Sequence, residues 1–155
     1  MFRFIEKILV GFRPCFSRRA AFRWFVVVIV GLMLRSDRLG VTSIIRDLAL
    51  DPSGYESLIH FFRSTAWDAG KIRDKWYRIL VSKAPLLRIH GRVVLIGDGV
   101  KQSKEGYFIP GVKKMVQESE DSSKPQYIFG HMFGAVGVLA GTLERHFCLP
   151  LKINI

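Results

Sequence analysis

Apolar residues recur at helical spacing through the first part of the chain. The stretch Met1 to Phe12 alternates apolar and charged residues in the manner of a short amphipathic helix, which Gly11 and Pro14 would end. Ser17 is placed to cap a second helix that runs to Leu34 or Arg35. Because the later turns of this second helix are apolar on all sides, the pattern predicts that it is the most buried helix.

Two shorter helices are predicted next. Val41 to Leu48 carries apolar residues on one helical face, and Ser53 with Glu56 forms a capping box that starts another helix at Gly54. Two short helices joined by a tight turn are typical of a helix-turn-helix, although any helical hairpin shows the same pattern. If the second helix enters a DNA groove, its exposed candidates for contact are Tyr55, Ser57, His60 and Arg63.

A longer helix completes this helical part. Asp68 can cap it, Trp76 belongs to its apolar stripe, and Pro85 stops it. Its cations lie beside that stripe and could contact nucleic acid: Lys71, Arg73, Lys75 and Arg78. A tryptophan at helical spacing is more often a core residue, so the stripe by itself does not decide between these interpretations.

The pattern changes from helices to strands in the second part. The run Val93 to Ile96, between Gly91 and Gly97, predicts a strand buried on both faces, with Asp98 at its end. Residues 127–139 and 142–155 predict a second and a third strand that pair through a turn near Gly141. The segment between the first two strands is predicted to be a long functional loop.

These elements predict an α+β chain. A basic helical region over residues 1–90 is followed, over residues 91–155, by three antiparallel strands. We place the domain boundary in the segment Ser82 to Gly91, which contains Pro85.

The charge of the chain indicates what kind of partner it binds. The chain has 24 Lys and Arg against 13 Asp and Glu, a formal net charge of +11, which favours a polyanionic partner such as DNA. Residues 1–92 carry 17 basic and 7 acidic residues, so the electrostatic footprint for DNA lies there. Arg18, Arg19 and Arg23 lie in early turns of the second helix, where cations oppose the helix dipole. They would be stabilised by a phosphate or a neighbouring acid, or they form a solvated helix end.

Other features exclude several classes of protein. Cys15 and Cys148 are far apart and predict neither a disulfide framework nor a zinc site, which is consistent with a reduced cytoplasmic setting. The apolar run Trp24 to Leu34 is too short for the roughly 20 residues of a membrane span. Neither a signal peptide nor a phosphate-binding loop is supported, and His131 and His146 are interpreted as surface or hydrogen-bonded residues.

Asp98 is the candidate for chemistry. It lies between Gly97 and Gly99, whose lack of side chains leaves room for a divalent cation or a metal-bound phosphate. The same three residues are also ordinary turn chemistry. Lys101 and Lys104 follow closely and are candidates for contact with DNA.

The segments LIGDGVKQSKEG, PGVKKMVQESEDSSKP and YIFGHMFGAVGVLAG resemble the start of the catalytic domain of DDE-type transposases from bacterial insertion sequences. The resemblance extends upstream through GLMLRSDRLGVTSIIRDLALDPSGYESLIHFFRS. It implies an RNase H-like fold in which Asp98 is the first catalytic aspartate and a ligand of Mg²⁺ or Mn²⁺. It further implies double-stranded DNA at transposon ends as the partner, a possible homo-oligomer, and a place on the bacterial nucleoid.

The resemblance also sets an expectation about completeness. DDE enzymes use three carboxylates, and the pattern would place the second and third beyond Ile155; Glu105, near Asp98, is not named by it. The first hypothesis is therefore a DNA-binding, amino-terminal portion of a transposase that is inactive alone. The second is a small basic interaction or membrane-surface protein without a catalytic role.

Overall fold

The computed structural model describes residues 2–34, 40–104, 106, 108–117, 123 and 125–154. The chain divides into two compact units, Met1–Ile79 and Leu80–Ile155. The division falls inside a helix, upstream of the boundary that the sequence placed near residue 90. Glu105 and the acids Glu118, Glu120 and Asp121 lie outside the described residues.

The first unit is helical, as the periodicity predicts. Its described helices are α1 (Phe2–Gly11), α2 (Arg19–Leu34), α3 (Val41–Asp47), α4 (Gly54–Arg63) and the part of α5 (Ala69–Lys83) up to Ile79, with a 3₁₀ turn at Arg13–Cys15. Helix α1 ends at Gly11, α4 begins at Gly54, and α5 stops before Pro85, so the helix starts and ends predicted from Gly and Pro are confirmed.

An aromatic cluster forms the centre of the helical core. The Phe25 ring of α2 lies 5.4 Å from the Phe12 ring and 5.0 Å from the Phe16 ring, measured between centroids. Leu58 of α4 is completely buried in the same core. Such tilted pairs add to the stability that burial of aromatic area supplies.

Helix α2, which the pattern predicts to be the most buried helix, contributes much of this core, but its last turn is exposed. Ala21, Phe25, Val28 and Gly31 are buried on one face, whereas residues 32–34 are exposed. A helix can bury only the faces against which other elements pack, and α3 and α4 supply those neighbours for the middle of α2.

The helix caps differ from the predicted ones in two of three cases. Ser17 does not cap α2, because its hydroxyl and backbone N–H both donate to the Ala66 carbonyl. Ser53 makes no capping bond to α4 and instead donates to Asp51 Oδ1 from its N–H and its hydroxyl, so the capping box with Glu56 is wrong. Asp68 does cap α5, where its Oδ1 accepts the Lys71 N–H at 2.7 Å.

In the second unit, the end of α5 is followed by a small hairpin that the sequence did not predict. Strands β1 (Arg88–Ile89) and β2 (Arg92–Val93) pair across His90 and Gly91, both of which have positive φ. Two successive residues with positive φ make the tight turn whose twist suits an antiparallel hairpin.

A larger antiparallel sheet follows, made of β3 (Leu95–Ser103), β4 (Lys113–Val116), β5 (Tyr127–Gly141) and β6 (His146–Asn154). Strand β5 is central: β3 pairs with residues 130–138, β4 with residues 127–130, and β6 with residues 134–141. The predicted succession of three antiparallel strands, with a turn after Gly141, is confirmed in β3, β5 and β6. The mixed α+β class is confirmed with it.

Two predictions about this sheet are wrong. The first strand is not the buried run Val93 to Ile96, because β3 extends to Ser103 and its residues are exposed except for a half-buried Lys101. The predicted long loop contains the end of β3 and all of β4, which pairs with β5. The residue types of this run predict a strand but do not show how deeply it is buried, because burial depends on what packs against the sheet.

Candidate nucleic-acid interface and carboxylate

A groove between α2 and α4 brings together residues from two separate parts of the sequence prediction. It has a volume of about 450 Å³, and Arg18 lines it beside Ser57 and His60 of α4. A second depression of about 480 Å³ shares Ala20, Trp24 and Ser57 with the first and adds Arg23. The two depressions therefore form one continuous surface, which we call the α2–α4 groove.

The chemistry of the α2–α4 groove suits a phosphate backbone. Arg18 and Arg23 are exposed guanidinium groups, and hydroxyls come from Ser57 and Ser64. Guanidinium and hydroxyl groups are among the side-chain groups that contact phosphate oxygens in protein–DNA complexes. The half-buried Trp24 forms an apolar wall between them.

Two acids also line the groove, Glu56 and Asp51. The hydroxyl and then the N–H of Ser53 hold the pKa of Asp51 below its ordinary value of 3.8, so this carboxylate is ionised at neutral pH. The Ser53 bonds do not remove the charge of Asp51, so an anion in the groove would have to meet Arg18 and Arg23 away from the two carboxylates.

The remaining predicted contacts of the helical unit lie outside this groove. Tyr55 and Arg63 are exposed on α4 but do not line it, and Arg19 is exposed at the start of α2. On α5, Lys71, Arg73 and Arg78 are exposed and Lys75 is half-buried. Arg73 Nη2 lies 3.5 Å from Asp74 Oδ1. The structure brings Arg18, Arg23, Ser57 and His60 together and leaves the others spread over neighbouring surfaces.

Asp98 lies in the interior of β3, paired with Ala135 of β5, rather than at the end of a strand. It is exposed, and its Oδ1 accepts the Gly99 N–H at 2.7 Å. Because the side chain is exposed, its carboxylate could bind a cation or supply negative charge to a site assembled around it.

The described residues do not complete a metal site around Asp98. No group of three or more His, Cys, Asp or Glu side chains that could hold a metal ion occurs among them. A single carboxylate is too few ligands for a two-metal centre of the kind that cleaves phosphodiester bonds. Lys101 lies further along β3, with its Nζ 2.9 Å from the Val116 carbonyl oxygen, and Lys104 is exposed just after the strand.

Sequence reasoning missed Trp24 and Ser64 as groove residues. Trp24 falls inside an apolar run, where its periodicity signals only core, and Ser64 follows the end of α4. Their placement depends on how α2 and α4 pack, which periodicity alone does not encode. Among the described helices, none has the length and apolar character needed to cross a membrane.

Comparison with known proteins gives one family. Residues 11–154 match the family described as DDE superfamily endonuclease. No curated protein and no solved structure matches the chain. The match runs through the helical unit and the sheet, and it includes Asp98 and both walls of the α2–α4 groove. The chain therefore belongs to the DDE superfamily endonucleases, a family of transposase-like nucleases.

Proposed function

We propose that this chain binds duplex DNA at the ends of a bacterial insertion sequence and contributes Asp98 to a strand-cleaving centre. The family supplies the reaction class, a nuclease that acts on DNA. The observation that carries the DNA-binding part is the α2–α4 groove, where Arg18 and Arg23 meet Ser57 and His60.

Electrostatics support the same assignment. The exposed arginines at the start of α2 do not stabilise this helix, because cations in a first turn oppose the helix dipole. A phosphate in the α2–α4 groove would be stabilised both by these side chains and by the positive end of the helix.

Asp98 is proposed as one carboxylate of the cleaving centre. The resemblance to DDE transposases makes Asp98 the counterpart of their first aspartate, and Asp98 lies within the first long strand of the sheet. The family uses divalent metal ions, but the described residues contain no group of three or more possible ligands and so do not fit a complete metal site. The role of Asp98 in this chain is therefore to supply negative charge at a fixed place on the sheet.

Binding of a fluorescein-labelled duplex, followed by anisotropy, tests the DNA-binding proposal. The double variant Arg18→Ala/Arg23→Ala should weaken binding at least tenfold, because two phosphate contacts are lost together. Arg145→Ala and Lys152→Ala, combined on the sheet unit, remove the same charge and should leave affinity within about twofold, since neither residue lines the groove. Equal losses in both double variants would show that net charge, rather than the groove, governs binding.

A further inference from the structure

A basic hairpin projects from the second unit. Residues 88–92, which contain β1, the turn and the start of β2, are all exposed, whereas Leu87 just before them is buried. The hairpin carries Arg88 on β1 and Arg92 on β2, with His90 in the turn between the two strands. We call residues 88–92 the arginine hairpin.

The base of the arginine hairpin is fixed to the large sheet. Leu87 donates its backbone N–H to the Leu139 carbonyl at 2.9 Å, and Leu139 donates to the Val94 carbonyl at 3.1 Å. Val94 in turn donates to the Leu87 carbonyl at 3.2 Å, which closes the hairpin at its base. Because Leu87 and Leu139 are both buried, opening the base would expose apolar area. The hairpin is therefore held at one place on the sheet.

The two arginines lie on opposite faces of this two-stranded ribbon. Arg88 is paired with Val93, and Ile89 is paired with Arg92. Neighbouring side chains of a strand alternate between faces and cross-strand partners share a face, so Arg88 and Arg92 project to opposite sides. Arg88 Nη1 also donates to the Gly91 carbonyl at 3.1 Å, which holds this guanidinium beside the turn and leaves its other N–H groups for an anion.

The turn keeps a side chain where glycine or asparagine is usual. His90 has a φ of 49° and Gly91 has a φ of 76°, the left-handed region that a two-residue hairpin turn requires. A histidine is less favourable there than glycine, and residues in such conformations concentrate at sites that bind ligands. The exposed imidazole at the tip can form a hydrogen bond with a base edge or a phosphate.

The chain around the arginine hairpin contains no acid. From Leu80 to Gly97 every charged residue is basic. The described acids of the second unit are Asp98 on β3 and Glu144 in the turn after β5. Four more acids of this unit lie outside the described residues: Glu105, Glu118, Glu120 and Asp121. The strand ends that precede these four pair with residues 127–130 of β5, whereas the base of the hairpin binds residue 139, near the other end of β5.

From this arrangement we propose that the arginine hairpin inserts its turn into the major groove of duplex DNA. Arg88 and Arg92 contact the phosphates of the two groove walls, and His90 reaches the base edges between them. The inference rests on the proposed DNA-binding function and goes beyond it, because it gives the second unit a DNA contact of its own.

The dimensions of the arginine hairpin agree with this groove. His90 lies three residues beyond Leu87, a reach of roughly 10 Å at about 3.3 Å per residue, and the major groove is about 8.5 Å deep. The major groove, about 12 Å wide, admits a two-stranded ribbon, whereas the minor groove is only about 6 Å wide. A cation on each face of the ribbon then meets the phosphates of each wall.

The test measures binding of the full chain to a labelled DNA duplex over a range of salt concentrations. Arg88→Ala/Arg92→Ala should weaken binding about tenfold, because two phosphate contacts are lost together. The slope of the logarithm of the binding constant against that of the salt concentration should become shallower by roughly 2. Lys113→Ala/Lys152→Ala removes the same charge from exposed positions on β4 and β6 and should leave affinity within about twofold.

Two substitutions in the turn separate the shape of the hairpin from its charge. Gly91→Val keeps both arginines, but a β-branched residue does not readily adopt the positive φ of this position, so binding should fall about fivefold or more. Gly91→Asn tolerates this φ and should bind within about twofold of the wild type. A Cβ at Gly91 meets no atom within 4 Å, so neither side chain is excluded by contact. Circular dichroism and urea unfolding show that each variant folds.

A duplex RNA of the same sequence is the second probe. Its major groove is deep and narrow, so that side chains do not reach the bases through it. Arg88→Ala/Arg92→Ala should therefore change RNA binding by no more than about twofold.

The inference is overturned if Arg88→Ala/Arg92→Ala binds the DNA duplex as the wild type does, or if the lysine control loses as much affinity. It is also overturned if Gly91→Val keeps full affinity, or if the arginine variant loses RNA binding to the same extent. A wild-type chain that binds no duplex overturns the proposed function as well. Duplex binding that the hairpin variants leave unchanged overturns this inference alone.

Discussion

Gly31 of α2 lies directly against Ile44 of α3. A Cβ added at Gly31 would overlap Ile44 Cγ2, and Ile44 Cγ1 and Cβ would lie only 3.1 and 3.2 Å away. Both residues are buried. The close approach of α2 and α3 therefore requires a residue without a side chain at this position.

Gly31→Ala should destabilise the protein despite its better helix propensity. Relative to glycine, alanine stabilises a helix interior by about 1 kcal/mol, but overpacking a buried contact costs roughly 1 to 3 kcal/mol. The Ile44 atoms in contact are Cβ and the two carbons bonded to it, which cannot move aside as the end of a long side chain could. We expect a net loss of about 1 kcal/mol, measured by urea unfolding. A double-mutant cycle with Ile44→Ala gives the control: Ile44→Ala should cost less in the Gly31→Ala background than in the wild type. Additive effects would mean that the two residues do not compete for the same space.

The Gly31 contact illustrates what the sequence could predict. Helix positions followed from apolar periodicity, and the ends of α1 and α5 followed from Gly11 and Pro85, because these signals are local. The closeness of Gly31 to Ile44 is a property of two helices together. A glycine inside a helical pattern signals only a weaker helix unless its neighbour is known.

For the candidate site, too, the sequence predicts the residue types but not their arrangement. Arg18, Arg23, Ser57 and His60 could be predicted as contact residues from charge and helical spacing. That they lie together in the α2–α4 groove could not be predicted. Asp98 was identified from its glycine neighbours and family resemblance, yet its place inside β3 was missed because the prediction ended the strand at Ile96. Ser53 was predicted to cap α4, but Asp51, only two residues earlier, competes for its hydroxyl and N–H.

The bond between Ser53 and Asp51 predicts a pH dependence. Both Ser53 donors lower the folded-state pKa of Asp51, so its contribution to stability is present above the ordinary value of 3.8 and is lost as pH falls through the lowered folded value. Ser53→Ala removes the hydroxyl donor and should raise the Asp51 pKa toward 3.8, as measured from its carboxyl resonance in an NMR titration. Ser64→Ala removes a hydroxyl that accepts the Ala66 N–H instead, and this variant should leave the Asp51 pKa unchanged. An Asp51 that titrates at its ordinary value in the native protein would contradict the hydrogen bonds.

Hydrogen exchange should distinguish the helical core from the large sheet. Backbone amides in residues 22–31 of α2 lie in or beside the packed core, whereas the residues of β3 and β6 are exposed or half-buried. Amides of β3 and β6 should therefore exchange faster than those of α2, because opening them exposes little buried apolar area. Equal protection in the two regions would mean that the sheet is stabilised by something other than the burial seen here.

Asp98→Asn separates binding from cleavage. The substitution keeps the size of the side chain and an oxygen to accept the Gly99 N–H, but it removes the negative charge. In a nicking assay with inverted-repeat DNA in Mg²⁺ or Mn²⁺, the variant should bind DNA normally and lose nicking by roughly 100-fold or more. Gln102→Glu, on the same strand, tests whether an added acid alters cleavage in general and should leave it unchanged. Nicking at the parental rate would return Asp98 to a structural residue.

The salt dependence of duplex binding tests the central claim, that this chain binds DNA through the α2–α4 groove. The logarithm of the binding constant should fall linearly with the logarithm of salt concentration, with a slope of about −0.9 for each phosphate contacted. For Arg18→Ala/Arg23→Ala the slope should become shallower by roughly 2, while the Arg145→Ala/Lys152→Ala control keeps the wild-type slope. Binding that does not depend on salt, or a slope that both double variants change equally, would contradict the account.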